Sequence, residues 1–426
     1  MKFNSYIFCL TIQRNGYNTK LVRQSNKVWK GLSMRTGDNG YIKELNYKLI
    51  LDTIRTKGAI SRADLARVTG LTRSTCSVTC ERMIKQGVII ETGKVDSTGG
   101  RPPILLQINN RAGAVLGLKM MDDQILGAAI DLGGNIIQQH SLAMERDLPS
   151  EPYLQRFEEF ISSILDIQRK DYPFIPILGM GIGLGGRISS EGVLLDSSVL
   201  GWSMVPLRAR LEKRFNLPVH IENDVNTFAI GEKFFGAGKE YDTFLCLSVG
   251  EGTGLGIIIN GMLYDGSHHG AGEIGHTRIT FDPQAPRCTC GKQGCLEVFT
   301  SDRALVEAYH ANTGTTVTID SLIALATAGD ETALKVFARA GMYLGTALST
   351  LVNLFDPQAI IIGGERTNAA TFFLPELQKH LEENCVYDLA KEVTLTVLQP
   401  SNDDWIRGVA ALAIREFFST NTLWRE

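Results

Sequence analysis

His276, followed by Cys288-Thr289-Cys290-Gly291-Lys292-Gln293-Gly294-Cys295-Leu296-Glu297, is the stretch that decides how this chain reads. Thiolate sulfur and imidazole nitrogen are the ligands of a closed tetrahedral zinc site. Gly291 and Gly294 let the backbone bend so that several sulfurs face one ion. His276, Cys288, Cys290 and Cys295 are therefore expected to hold a structural Zn²⁺. Glu273 and Glu297 bracket the segment, and carboxylates beside a rigid metal loop suit the hydroxyls of a sugar.

At 426 residues the chain is too long for one compact domain and implies two or three. Hydrophobic content of 44% with 21% charged residues is ordinary for a soluble protein. No apolar run approaches the roughly 18–20 residues a membrane span needs. Residues 3–12 are apolar but short, lack a small-residue cleavage site and run into a basic stretch, so they make a poor signal peptide. Outside the cluster, Cys9, Cys76, Cys80, Cys246 and Cys385 are scattered, as reduced thiols of a cytoplasmic protein would be. The net charge of −3 hides an asymmetry. Residues 1–110 hold 18 Lys+Arg against 7 Asp+Glu, a net +11, which leaves −14 on the remainder. A basic N-terminal part on an acidic body implies that one end meets a polyanion.

Residues 46–90 read as three short helices. In the first, 46–57, Leu49, Ile50 and Ile54 share one face, and Gly58 closes it. Ser61 caps a second helix with Asp64 three residues on, and Gly70 ends it. Thr72 caps a third that runs to about Gln86, with Val78, Met83 and Ile84 pointing inward. Two helices joined by a tight turn form a helix-turn-helix, whose second helix enters the major groove. Two strands near 88–91 and 104–108 enclose an exposed loop, 97–103, which makes the module a winged helix. Ser61, Arg62, Thr72, Arg73, Ser74, Thr75, Ser77 and Arg101 are the candidate DNA contacts. The first 33 residues hold six Lys/Arg and no acids; they are either a basic arm on the phosphate backbone or a stretch preceding a natural start at Met34.

From Gly113 buried strands alternate with helices, the pattern of an α/β body in two lobes. Strands are expected at 114–118, 125–130, 177–182, 219–221, 244–249, 256–259 and 359–362.

Glu273-Ile274-Gly275-His276 and Cys288-x-Cys-Gly-x-x-Gly-Cys-x-Glu297 resemble the signature of the ROK family, which contains sugar-responsive repressors and sugar kinases. The resemblance runs from about residue 41 to near the end. It includes Ser61-Arg62-x-x-Leu-Ala, Thr69-Gly70-Leu71-Thr72 and Gly99-Gly100-Arg101-Pro102. It implies a basic extension at 1–40, a winged helix at 41–110, and a sugar-binding domain at 111–426 with the two-lobed actin-like fold and a cleft near 223–297. Asn223, Asp224, Glu273, His276 and Glu297 would bind the sugar, His276 with one ring nitrogen on zinc and the other on sugar. Asp224 is the position of the general base in kinase members.

Two departures bear on chemistry. Kinase members cradle ATP phosphate in two glycine hairpins. The second, Gly250 to Gly256 with Gly252, Thr253 and Gly254, is present. The first should read Asp-x-Gly-Gly-Thr and here is Lys119-Met120-Met121-Asp122-Asp123, which leaves an acid replaced by lysine and no glycine. Arg187 stands where a small or apolar residue is usual, which alters the pocket rim. Trp202 matches a frequent family tryptophan that serves either the lobe core or the ligand. The expectation is a cytoplasmic, sugar-responsive repressor without kinase activity, with zinc as structural cofactor, operator DNA and a sugar as partners, and a dimer or tetramer as its assembly. The xylose-responsive branch is favoured, with glucose- or N-acetylglucosamine-type regulators next. The alternatives are a sugar kinase with an appended DNA-binding domain, and a regulator bound by a phosphotransferase protein.

Overall fold

The computed structural model describes residues 39–94 and 103–419. Met34 and the basic extension to residue 38, together with Arg101 and most of the wing loop, lie outside the described residues.

The N-terminal module is built on α1 (Asn39–Lys57), β1 (Ile60–Ser61), α2 (Arg62–Thr69), α3 (Arg73–Lys85), β2 (Ile89–Lys94) and β3 (Ile104–Ile108), with the strands ordered β1-β3-β2. Local chemistry sets the boundaries. Ser61 accepts from the Asp64 amide to start α2, and Gly70 ends it in the left-handed conformation at φ +70°. Thr72 accepts from the Thr75 amide to start α3. The inward stripe of α3 is Cys76, Cys80 and Met83, all fully buried, while Val78 is 69% exposed. That corrects the sequence expectation for Val78. Leu49 likewise faces out, because Tyr47, Ile50, Leu51 and Ile54 supply the buried face of α1.

The body begins with a meander, β4 (Ala114–Met120), β5 (Gln124–Asp131) and β6 (Ile136–Ala143), then α4 (Ser150–Asp171) and β7 (Ile177–Leu184). A small sheet of β8 (Arg187–Ile188), β9 (Leu194–Ser197) and β10 (Trp202–Val205) precedes α5 (Leu207–Phe215), β11 (Val219–Asn223) and α6 (Asp224–Phe234). The second lobe repeats the pattern with β12 (Phe244–Val249), β13 (Thr253–Ile259) and β14 (Met262–Leu263). Helices α7 (Glu297–Thr300), α8 (Asp302–Thr313), α9 (Ile319–Thr327) and α10 (Glu331–Phe355) lead to β15 (Ala359–Gly363). Then come α11 (Ala370–Asn384), α12 (Leu389–Glu392), β16 (Thr394–Val397) and α13 (Asn402–Ser419).

The two five-stranded sheets have matching orders, β11-β7-β4-β5-β6 and β14-β13-β12-β15-β16. In each, three antiparallel strands are extended by two parallel ones. This duplicated arrangement is the actin-like sugar-kinase fold. β4, at the centre, is buried at every position and is apolar throughout except for Lys119. β6, absent from the sequence expectation, alternates half-buried and exposed residues as an edge strand does.

The last helix, α13, returns from the second lobe to pack on the first sheet and on α6. The crossing is close: a Cβ on Gly231 would lie 2.6 Å from the Gly408 Cα, and one on Gly408 would lie 2.4 Å from the Thr227 carbonyl oxygen. Glycine is required at both positions. A single apolar core joins this region to the DNA-binding module, since Ile50, Ile54, Met83 and Leu106 share it with Val115, Ile130, Ile406 and Ile414. Among the described residues, no helix is long and apolar enough to cross a membrane.

Candidate functional site

The cysteine loop folds back as a narrow hairpin. The Cys288 amide donates to Lys292 O, and Gly291 and Gly294 adopt φ of +85° and +75°. Bridges between Arg287 and Gln293 and between Arg278 and Cys295 anchor it. His276, Cys288, Cys290 and Cys295 thereby converge, with their ligand atoms all within 4.8 Å of one another. The Cys290 and Cys295 sulfurs are 3.7 Å apart, and Cys288 Sγ is 3.4 Å from His276 Nδ1. A tetrahedron with Zn–S of about 2.3 Å and Zn–N of about 2.0 Å has edges of roughly 3.8 and 3.6 Å. The four donors therefore fit a metal ion by separation as well as by chemistry. All three cysteines are free thiols.

The other face of the histidine turns toward the cleft. His276 Nε2 lies 4.0 Å from the Glu273 carboxylate. Burial pushes the Glu273 pKa up; His276 opposes that shift and Glu297 adds to it. Glu297 begins α7, and its carboxylate sits where side chains at Gly252 or Gly275 would meet it at 3.3 Å. Across the cleft Asn223 caps α6 by accepting from the Val225 and Asn226 amides, and its Nδ2 donates to Gly186 O at 3.2 Å. Asp224 Oδ1 accepts from the Val225 amide at 3.0 Å.

A cavity of about 60 Å³ lies between, lined by Gly186, Asn223, Val225, Asn226, Gly254, Leu255, His269, Ala271, Gly272 and Glu273. Of the five sequence-derived sugar residues, Asn223 and Glu273 line it. Asp224 lies between two lining residues, and His276 and Glu297 stand behind Glu273. Asn226, His269 and Gly272 were missed. The His268-His269-Gly270 run just before Glu273 was an available signal. His269 Nδ1 is 2.9 Å from the Asp265 carboxylate, which fixes its ring.

At the rim Arg187 is ion-paired to Asp196, with its Nε 3.0 Å from Oδ2. Trp202 is core: it is 7% exposed, packs edge-on against Tyr153 at 4.9 Å and donates from Nε1 to Leu148 O.

Where the first phosphate hairpin would be, Lys119 is 5% exposed, with Nζ 3.7 Å over the Trp405 ring and 4.0 Å from the Glu365 carboxylate. Arg146 binds both Asp122 and Asp123 at 3.3 and 2.9 Å. In the facing hairpin Glu251 has a raised pKa, from burial first and then from Asp122, Glu365 and Asp123. Asp122, Asp123, Glu251 and Glu365 thus gather there, with Arg146 and Lys119 as counter-charges. Thr253 of that hairpin is buried and hydrogen-bonded to Thr300 at 2.7 Å, and Gly254 is pressed against Val225.

On the DNA-binding module, Thr72, Arg73 and Ser74 are exposed at the start of α3, while Thr75 and Ser77 are half-buried. Thr72 is also engaged as the cap, with the Ser74 and Thr75 hydroxyls at 3.0 and 2.9 Å. Ser61 is a correction. It is 4% exposed, and its hydroxyl is committed to the Asp64 carboxylate at 2.8 Å, so it serves the helix and not DNA. Arg62 is held by Glu91 at 2.8 Å.

A winged helix-turn-helix carried on a two-lobed sugar-kinase fold is thus the class of protein that fold and site define. The model of the ROK family matches residues 115–416, and that of a winged helix-turn-helix DNA-binding domain matches residues 48–90. The chain belongs to the ROK family. It is 30% identical to the xylose repressor of Bacillus subtilis (strain 168) over 92% of this chain and all of that one. Its fold superposes with a TM-score of 0.78 on a ROK family transcriptional regulator, a homolog of the E. coli MLC protein, at 26% identity over 89% of this chain and 97% of the other. A ROK family glucokinase from Streptomyces griseus, solved with glucose and AMPPNP, superposes at TM-score 0.60 and 27% identity over 70% of this chain and 99% of its own.

Proposed function

We propose that this protein is a cytoplasmic transcriptional repressor of carbohydrate-utilisation genes, released from its operator by a sugar of the xylose type. The observation that carries the reading is the coexistence, in one chain, of a winged helix-turn-helix and a polar cleft whose first phosphate hairpin is replaced by the buried Lys119 and by Asp122 and Asp123. Asn223, Asp224, Glu273, His276 and Glu297 bind the sugar hydroxyls. Zinc on His276, Cys288, Cys290 and Cys295 is structural: it fixes the loop that carries Glu297 and sets the tautomer of His276. Thr72, Arg73, Ser74, Thr75 and Ser77 face the operator, as a homodimer or part of a tetramer. Half-sites lie about 34 Å apart or a multiple of that, so a modest change in head spacing on lobe closure loses affinity. The sugar acts only to the extent that it binds the DNA-free conformation better.

Duplexes selected on the wild-type protein, titrated across a sugar panel with and without ATP, test this directly. Release by xylose without ADP formation is the expected result. Sustained ADP formation at ordinary enzyme rates would sink it and restore the kinase reading, which the intact Gly250–Gly256 hairpin favours. A narrower prediction concerns Arg73. Its exposed guanidinium at the start of α3 makes Arg73→Ala about tenfold weaker on the operator, read by fluorescence anisotropy. Unchanged affinity would mean that α3 does not present this end to DNA.

A further inference from the structure

The sugar pocket and the DNA-binding helices share one short element. Asn223 and Asp224 stand at the N-terminus of α6, and Asn223 is its cap. Eleven residues later, about 16 Å away along the helix axis, the Phe234 ring lies under the Arg55 guanidinium of α1 at 4.3 Å from its centroid. Arg55 is aimed there by Asp52, whose carboxylate accepts from Nη2 at 2.7 Å and from Nε at 3.2 Å. The next residue, Phe235, packs on the core that the DNA-binding module shares with the first lobe.

Between its ends α6 is gripped by both lobes. Val225 and Ala229 press on Gly254 and Gly256 of β13, and Gly231 crosses Gly408 of α13. Packing this close cannot absorb a displacement of the helix N-terminus locally, so a shift there moves the whole rod. Ile230, Lys233 and Phe234 line a cavity of about 370 Å³ shared with Arg415, Met262 and Glu222.

We propose that Arg55 and Phe234 are the positioning residues through which occupancy of the sugar pocket reaches the operator-binding helices, with α6 as the connecting rod. Neither side chain lies in the candidate sugar pocket or on α3; their contact ties the C-terminal end of α1 to α6, beside the apolar core and α13 that hold the rest of α1. The inference rests on the sugar-responsive reading above.

The test is a linkage measurement on the full-length protein, with xylose as probe. Operator affinity is measured with and without saturating xylose, and xylose affinity with and without operator. In the wild type the two ratios must agree, because coupling between sites is reciprocal. Phe234→Ala is expected to leave the sugar-free operator Kd and the operator-free xylose Kd within about twofold. Its coupling ratio falls about fivefold, the size of one such cation–π contact. Phe234→Tyr keeps the ring and restores the ratio. Arg55→Gln removes the cation from the other side and repeats the loss, which serves if Phe234→Ala folds poorly. A residue of merely structural importance would lower Tm or basal operator affinity and leave the ratio unmoved. A full wild-type ratio in both Phe234→Ala and Arg55→Gln overturns the proposal. Absence of any xylose effect on the wild-type protein, read first, overturns the functional reading and this inference with it.

Discussion

Cys295→Ser is expected to remove zinc and heat stability together. Wild-type protein should carry close to one zinc per chain by elemental analysis, and the variant close to none. Cys295 is fully buried, and its sulfur sits 3.7 Å from that of Cys290, at one edge of the donor set. Serine fills almost the same space but offers no thiolate, and a three-ligand site loses most of its affinity. The loss does not stay local. The hairpin of 286–296 has few apolar contacts of its own, since Cys288, Cys295 and Leu296 are its buried side chains. Metal binding free energy is therefore folding free energy for this segment. A penalty of about 4 kcal/mol corresponds to a fall in Tm on the order of 10 °C for a unit of this size. Glu297 follows directly on the hairpin, so weaker sugar binding accompanies the loss. Cys385→Ser, outside the cluster, should retain its zinc and serves as the control. Unchanged metal content in Cys295→Ser would refute the assignment.

What the chain discloses by sequence alone tracks how local the determining physics is. The tetrad was legible because three of its four donors, Cys288, Cys290 and Cys295, fall within eight residues of one hairpin, and ligand spacing with glycine turns leaves little freedom. α2 and α3 were legible because Ser61, Gly70 and Thr72 are caps whose chemistry acts within three residues. Which face of α3 turns inward was not. Val78 and the pair Cys76 and Cys80 offered competing stripes, and packing against α1 and α2 selected the small thiols. Ser61 was misassigned for a related reason: a residue at a helix start is both a favoured cap and a plausible DNA contact, and only burial tells them apart. The pocket wall of His269 and Gly272 depends on a long loop docking through the hydrogen bond from the Leu255 amide to Gly272 O, which no spacing rule encodes. The replacement of the first phosphate hairpin was visible as Lys119-Met120-Met121. That Lys119 would stack on Trp405 and face Glu365 required the return of α13 and the second lobe.

Asp224→Asn is expected to yield a repressor that holds its operator in the presence of sugar. Asp224 stands between the lining residues Asn223 and Val225 at the α6 end of the pocket, and a hydrogen bond from a sugar hydroxyl to a charged oxygen contributes about 1.5–3 kcal/mol. Xylose affinity should therefore fall about 10- to 100-fold. Asparagine is chosen over alanine because it keeps the shape and still accepts from the Val225 amide, a bond Asp224 Oδ1 makes at 3.0 Å. Removing a negative charge from the first turn costs α6 about 0.3–1 kcal/mol through the helix dipole. That is too little to unfold a helix whose cap, Asn223, and whose packing on α13 remain. The proposed operator contacts lie on α3, which Asp224 does not belong to or cap, so sugar-free operator affinity should stay within about twofold. The informative comparison is with Asn223→Ala, which deletes the cap itself and should lower thermal stability as well as sugar affinity. If Asp224→Asn releases the operator at wild-type xylose concentrations, the carboxylate is no part of sugar recognition. If it instead binds operator poorly without sugar, the charge at the start of α6 governs the resting position of the DNA-binding module and not the ligand.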